Sequence, residues 1–284
     1  MNNASCIMAV IATTVATLAM GTAVASEAPG SAEPSKTCSA PGEITRLEQS
    51  LVHTAARLAQ GQPLKIVALG SSSTAGLGAS SRSQSYPSRL EAELRSLLAG
   101  RDIVVINRGI NGEDAEEMLA RLQRSVFAAR PDLVIWQVGT NALLDNYPMA
   151  RESALIRRGI GRLLAAGIDV VLMDPQFAPM VTKKRTSARL VELLGNLGRE
   201  ARVGVFHRFA IMRHWNEDQK LPFPAFVSND GLHMNDWGYN CTARLLANAI
   251  LEAVASLAPV LTALPGPARM ATTDEFGEPD LDQP

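Results

Sequence analysis

Four short polar segments interrupt apolar stretches of this chain, and each carries residue types that acyl-transfer chemistry uses. Gly70-Ser71-Ser72-Ser73-Thr74 presents three hydroxyls directly after an apolar run. Far downstream, Asp230-Gly231-Leu232-His233 sets a carboxylate three residues before an imidazole, close enough for one turn to supply both. Between them lie N-R-G-I-N-G-E-D at 107–114, with Asn107, Gly109 and Gly112, and W-Q-V-G-T-N at 136–141, with Gly139, Thr140 and Asn141. A serine hydroxyl is a weak nucleophile near neutral pH and needs an adjacent base. Histidine titrates in that range and can take the proton, then return it to a leaving group. A carboxylate on the other ring nitrogen fixes the tautomer and stabilises the imidazolium. Attack on an ester carbonyl builds negative charge on oxygen, which backbone N–H groups or a side-chain amide can meet, and losing one such donor costs about 3–4 kcal/mol. A glycine such as Gly112 suits that task because no side chain obstructs its amide. Taken alone, a Ser-rich turn has another reading, since most such serines bond to nearby backbone.

These segments must be carried to one place by the elements around them. Five apolar runs have the length and bounding of buried strands: Ile66–Leu69, Ile103–Asn107, Leu133–Val138, Ile168–Met173 and Val203–Phe206. Helical spacing marks 42–60 (Ile44, Leu47, Leu51, Ala55 and Leu58 on one face), 85–99, 113–128, 149–166, 185–200 and 236–257. Strands alternating with helices predict an α/β fold, a parallel sheet covered on both faces. Ligands in such sheets bind beyond the carboxyl ends of the strands. The first three polar segments follow strands one, two and three, and the Asp230–His233 turn comes after strand five.

In order and content the segments resemble those of the SGNH (GDSL-type) hydrolase family of esterases and lipases, over residues 65 to about 245. The resemblance implies a three-layer α/β/α flavodoxin-like fold with a five-stranded parallel sheet. It aligns Ser72 with the nucleophile of G-D-S-x-T, and Gly112 with the glycine whose amide binds the oxyanion. It aligns Asn141 with the Asn of G-x-N-D, and Asp230 and His233 with D-x-x-H. The implied oxyanion hole is then Ser72 N–H, Gly112 N–H and the Asn141 amide, and the implied reaction is ester hydrolysis through an acyl-enzyme. Two positions depart from the pattern: Ser71 and Ala142 stand where the family usually has Asp. Neither carries a proton transfer, so the departures bear on loop geometry more than on reaction type.

Rival assignments exist for each residue. Ser71 and Ser73 are alternative nucleophiles. Gly112 can be turn punctuation, Asn141 a helix N-cap, and Asp230 the start of a turn with Gly231. Among other bases, His53 lies in the first helix, His207 follows strand five with no carboxylate partner evident, and His214 reads as a surface residue beside Trp215. Asp236 suits a helix start, Trp237 and Tyr239 the packing of the last helix, and T-K-K-R at 182–185 a solvated helix entry. Residues 76–81 lack the third glycine of G-x-G-x-x-G, Gly70 and Gly76 lack P-loop spacing and a following Lys, and no H-E-x-x-H or paired C-x-x-C occurs. Neither a cofactor nor a metal is therefore expected.

The 284 residues carry a net charge of −1 with 46% hydrophobic content, which suits one α/β domain and gives no basic surface for nucleic acid. The first 25 residues contain no Asp, Glu, Lys or Arg and end Ala23-Val24-Ala25, as in a secretory leader cleaved after Ala25, although the n-region lacks its usual Lys or Arg. The expected organisation is a leader at 1–25, a linker at 26–41, the hydrolase domain at 42–258 and an acidic tail at 259–284. The expected location is secreted or periplasmic, with no stable membrane span after cleavage. Cys6 would leave with the leader. Cys38 and Cys241 would remain as an even pair in an oxidising compartment, either disulfide-bonded or as two unrelated thiols.

The substrate stays open between an acetyl ester, on a small molecule or a glycan, and a lipid or thioester. Met180, Leu221, Phe223 and Phe226 can line an acyl pocket or simply fill the core. A non-catalytic glycan- or lipid-binding module on the same fold is the other class of reading. Oligomeric state is not readable from the sequence.

Overall fold

The apolar runs become strands because each is short and bounded by polar or glycine residues, and all but the second, an edge strand where Val104 is exposed, are buried on both faces. In the computed structural model of the chain, which describes residues 37–257, they form β1 (Leu64–Gly70), β2 (Ile103–Gly109), β3 (Leu133–Gln137), β4 (Asp169–Met173) and β5 (Gly204–Phe206). All pairings are parallel, in the order β2-β1-β3-β4-β5. This is the flavodoxin-like order, in which the connection reverses direction between β1 and β3 and opens a crevice at their carboxyl ends. The expected fold class is the observed one.

Helices from a single turn to twenty residues long flank the sheet. They are α1 (Gly42–Thr45), α2 (Val52–Ala59), α3 (Ser72–Ala75), α4 (Tyr86–Leu97), α5 (Ala115–Ala120), α6 (Leu122–Ser125), α7 (Thr140–Leu144), α8 (Met149–Ala165), α9 (Pro179–Thr182), α10 (Ser187–Ala201), α11 (Arg208–Glu217) and α12 (Asp236–Ala255). One continuous core runs through the sheet, from Leu47 and Leu51 to Leu246 and Ile250. Burying a Leu, Ile or Phe side chain contributes about 1.5–3 kcal/mol each before conformational entropy is subtracted. Among the described residues no helix is long and apolar enough to cross a membrane.

Three expectations need correction. The helix expected over 42–60 breaks after Thr45: Arg46 is extended, and Leu47 and Leu51 are both buried in the stretch between α1 and α2. The helix expected over 113–128 is interrupted at Arg121, between α5 and α6. The stretch between β5 and residue 236, where no helical spacing is marked, contains α11, whose Phe209, Ile211, Met212 and Trp215 are buried at helical spacing. Arg208, Arg213 and His214, interleaved with them, obscure that period.

The chain packs from slightly before residue 42, since Cys38 and Ala40 lie against the core. A disulfide joins Cys38 to Cys241 on α12 across a sequence separation of 203. The expected leader, most of the linker and the whole of the tail at 259–284 lie outside the described residues. Closing so long a loop restricts the unfolded chain, and a native bridge of this kind contributes about 2–5 kcal/mol. Thiol titration of denatured, unreduced protein is therefore expected to find neither Cys38 nor Cys241 free. The Cys38→Ala/Cys241→Ala double variant is expected to lose stability on that scale in urea unfolding. Two reactive thiols at these positions would contradict the bridge.

Candidate active site

The turn after β1 is built to hold a hydroxyl in place. Ser71 donates both its backbone N–H (2.9 Å) and its hydroxyl (3.0 Å) to Gln137 Oε1, which also accepts from Thr74 Oγ1 at 3.2 Å. Ser71, Ser73 and Thr74 are at most 2% exposed, whereas Ser72 reaches 9%. Ser71 Oγ is thus committed to Gln137 and Ser73 is turned inward, which leaves Ser72 facing the strand edge. On the other side, Asn107 Nδ2 donates to Thr74 O (2.8 Å), and the adjoining β2 strand passes so close that a Cβ on Gly109 would lie 2.1 Å from Ala75 N. Only glycine fits that crossing.

The acid–base turn comes from the loop before α12. An antiparallel bridge between Val227 and Met234 closes it, and Gly231 turns it with φ +69°. Asp230 Oδ1 accepts from Ser228 Oγ (2.8 Å), Leu232 N (2.9 Å) and His233 N (2.9 Å). Its Oδ2 lies 2.6 Å from His233 Nδ1, and His233 Nε2 lies 2.7 Å from Ser72 Oγ, 161 residues away in sequence. An ionised carboxylate only accepts, so Nδ1 carries the ring proton and Nε2 is free to accept from the serine hydroxyl. Partial burial pushes the Asp230 carboxyl up. The hydrogen bonds from the His233 ring, the Leu232 and His233 amides and Ser228 outweigh it, holding the group well below the usual carboxylate range.

The other two expected residues reach the same edge by a different route. Ile110 N donates to Gly70 O at 3.1 Å, which lays the loop after β2 beside the serine turn. In that loop Gly112 has φ +82°, a left-handed conformation that favours glycine, and its N–H has no acceptor among the described residues. Asn141 is the second residue of α7, whose cap position is Gly139, so Asn141 is not the N-cap. Its Nδ2 donates to Glu113 O at 2.8 Å, tying the amide to the residue after Gly112 and leaving its second N–H available. Asp114 caps α5 through a capping box with Glu117 and fixes the far end of this loop. Ala142 is buried, without the carboxylate that the resemblance would place there.

Sequence reasoning missed the amides beneath the site. Gln137 ends β3, and Gln176 follows β4; each is 1% exposed. Gln176 Oε1 accepts from Thr140 Oγ1 (3.2 Å) and from the fully buried Arg208 Nη2 (3.0 Å), while its Nε2 donates to Leu232 O (3.1 Å). One amide thereby joins α7 to the acid–base turn. The available signal was a polar residue ending an apolar strand, since a buried amide must find partners.

The rival residues are elsewhere. His53 is exposed on α2, and His214 bonds Asp218 (2.8 Å) on α11. His207 does have a carboxylate neighbour, contrary to expectation: Asp174 Oδ2 lies 3.6 Å from its Nδ1, and that carboxylate holds the imidazole above the usual histidine range. The sequence hid this because β4 and β5 are adjacent only in the fold. Asp236 starts α12 and accepts from Ser80 N (2.8 Å) and Ser80 Oγ (2.6 Å). Trp237 packs on Trp215 (5.1 Å), and the Tyr239 hydroxyl donates to Leu77 O (2.6 Å). Lys184 of the T-K-K-R run donates to Leu144 O (2.5 Å) and Asn146 Oδ1 (3.0 Å).

An alcohol, an imidazole and a carboxylate in one hydrogen-bonded line can carry out nucleophilic acyl transfer. Comparison with known proteins points to the same chemistry. Residues 37–256 match the model of the Non-GDSL lipase-like family. An arylesterase from Vibrio mimicus is 28% identical over 188 residues, covering 66% of this chain and 88% of that protein. A lipase/acylhydrolase structure from Enterococcus faecalis superposes with a TM-score of 0.56 at 26% identity, over 66% of this chain and 95% of that one. The fold is also that of a two-domain esterase (CEX) active on acetylated mannans (TM-score 0.61, 18% identity). That likeness covers 74% of this chain but only 56% of the two-domain protein. An SGNH-like sheet, the family match and these relatives converge: the chain belongs to the Non-GDSL lipase-like family and is an ester-hydrolysing enzyme, not a binding module.

Proposed function

We propose that the protein is an exported serine esterase in which Ser72, His233 and Asp230 act as a triad on short-chain carboxylic esters. The observation that carries this reading is the 2.7 Å contact between His233 Nε2 and Ser72 Oγ, continued by the 2.6 Å contact to Asp230. His233 Nε2 takes the Ser72 proton as Oγ attacks the carbonyl carbon, and the carbonyl π pair moves onto oxygen. Ser72 N–H, Gly112 N–H and the Asn141 amide meet that charge. The imidazolium then protonates the departing alcohol as the ester C–O bond breaks, which leaves an acyl-serine. Water, deprotonated by the same nitrogen, attacks the acyl-serine; the acid leaves and Ser72 regains its proton.

The choice of a short acyl group, such as acetyl on a small molecule or a glycan, rests on what fills the apolar side. Leu221 and Phe226 are 1% and 0% exposed, and Phe223 stacks on Phe177 at 5.7 Å. Leu221 and Phe226 belong to the core and Phe223 packs against it partly buried, so the first two are not open to a long chain. Met180 is 42% exposed, with its N–H bonded to Gly231 O beside Asp230, so one small apolar surface adjoins the acid–base turn. The arylesterase relative supports an ester as the substrate class. Export rests on the leader-like residues 1–25 and on the Cys38–Cys241 bridge, which suits an oxidising compartment.

Three outcomes follow from this assignment. A fluorophosphonate is expected to label wild-type protein at Ser72, and Ser72→Ala should lower kcat on p-nitrophenyl acetate by about 10⁴-fold or more; substantial residual turnover would move the nucleophile elsewhere. Because Asp230 stays ionised well below its usual range, its protonation should add nothing to the loss of activity on acidification above about pH 4. The acid limb of log kcat/KM is then expected to keep unit slope down to about pH 4, and a slope of two there would mean that a second carboxylate titrates. Across p-nitrophenyl esters from acetate to palmitate, kcat/KM should be highest for the shortest chains and fall by about tenfold or more by octanoate, at roughly 1.4 kcal/mol per decade. A maximum at palmitate would overturn the short-acyl assignment.

A further inference from the structure

The mechanism above makes no use of Arg121, yet its guanidinium is 1% exposed beneath the site. It sits where the helical path breaks between α5 and α6, with φ −103°. Burying a charge is costly unless it is fully partnered. The partners here are specific. Nε donates to Glu113 Oε2 at 2.6 Å, and Nη2 donates to Arg108 O at 2.8 Å and Gly70 O at 3.2 Å.

Each of those acceptors belongs to a piece of the oxyanion hole. Gly70 ends β1 two residues before Ser72, and its carbonyl also receives Ile110 N–H at 3.1 Å. Arg108 precedes Gly109 at the end of β2, where the Gly112 loop begins. Glu113 follows Gly112 directly, and its own carbonyl receives the Asn141 amide at 2.8 Å. A single planar cation therefore ties together the segments that carry Ser72 N–H, Gly112 N–H and Asn141 Nδ2. A packing role alone gives no reason for the carboxylate partner to be the residue next to Gly112. It gives none either for two carbonyls on different strands to converge on one nitrogen. Lysine, a point charge without a rigid fork, cannot reproduce the set.

We propose that Arg121 is a positioning residue for the oxyanion hole, acting through Glu113 and the Gly70 and Arg108 carbonyls and never touching substrate. The proposal rests on the esterase reading above. Misplacing donors by a fraction of an ångström costs transition-state binding more than ground-state binding.

The test compares wild type with Arg121→Lys on p-nitrophenyl acetate, with kcat expressed per site labelled to completion by fluorophosphonate. That count removes any loss of folded protein. The expected result is a fall in kcat of about 10- to 100-fold, below the loss for deleting a donor outright, with KM within about twofold. The inhibition constant of an aryl trifluoromethyl ketone, which forms a Ser72 hemiketal oxyanion, should rise by a similar factor. A lysine variant with wild-type kcat per labelled site overturns the proposal. Should that variant not fold, Glu113→Gln decides: a loss of about threefold or more in kcat at unchanged KM supports it, and no loss overturns it. Wild-type protein that neither labels at Ser72 nor turns over would refute the esterase reading itself, and the Arg121 role would fall with it for that separate reason.

Discussion

The hydrogen bond between His233 Nε2 and Ser72 Oγ sets the terms for the rest of the molecule. It spans 161 residues at 2.7 Å, so the turn before α12 must be held over the end of β1 to within a few tenths of an ångström. The chain meets that demand from several directions. Asn235 caps α12 by accepting from Gly238 N, Asp236 grips Ser80, Tyr239 reaches Leu77, and Arg89 on α4 donates to Asn240 Oδ1. The disulfide at Cys241 ties the same helix to the start of the packed chain. A site on loops acquires its precision from the rigid helix and sheet beneath it.

Beneath the strand edge lies a second layer that is polar and dry. Gln137, Gln176 and Arg208 are almost wholly buried; the two amides gather backbone or hydroxyl groups from loops that carry site residues, and Arg208 holds Gln176 and the Asp174 carbonyl. Such networks contribute little net stability, because desolvation offsets much of the hydrogen bonding. What they add is uniqueness: an amide with three committed bonds permits one arrangement of its neighbours. The departure at Ser71 finds its physical account here. With serine in place of the usual aspartate, the position donates to Gln137 Oε1 twice and needs no separate counter-charge. Glu152 shows the cost of burial without that satisfaction. Neither of its oxygens has a hydrogen-bond partner among the described residues. Burial first and the Asp114 charge second raise its carboxyl to about 7. Its neutral form is therefore preferred in the fold, and its contribution to stability declines as pH rises from about 4.5 toward 7.

Much of this architecture was legible in the sequence, for local reasons. Apolar runs of strand length marked all five strands, because a doubly covered parallel sheet leaves no polar face to blur them. Asp230-x-x-His233 is a single turn, so its geometry is nearly implied by its spacing. The failures were of the opposite kind. α11 was hidden because its apolar residues are interrupted by charged ones, one of which, Arg208, is itself in the core. The break at Arg121 was hidden because a helical period continues through it, while the side chain turns inward to acceptors on two other strands. His207 seemed to lack a carboxylate because Asp174 follows the neighbouring strand β4, far from it in the chain.

By itself, then, the sequence determined the order of strands and helices, the edge on which the polar segments fall, and the identity of the groups able to act there. Those properties depend on short-range periodicity and on residue type. The resemblance already aligned Ser72 with the nucleophile, but only the tertiary structure decided how its neighbours are held away from the imidazole, with Gln137 claiming Ser71 from another strand. It alone decided how Gly112 and Asn141 are linked, through a carbonyl that neither of them contributes. Hydrogen bonds between residues tens of positions apart leave no spacing in the chain to read, because the distance that matters is set by strand register and not by residue number.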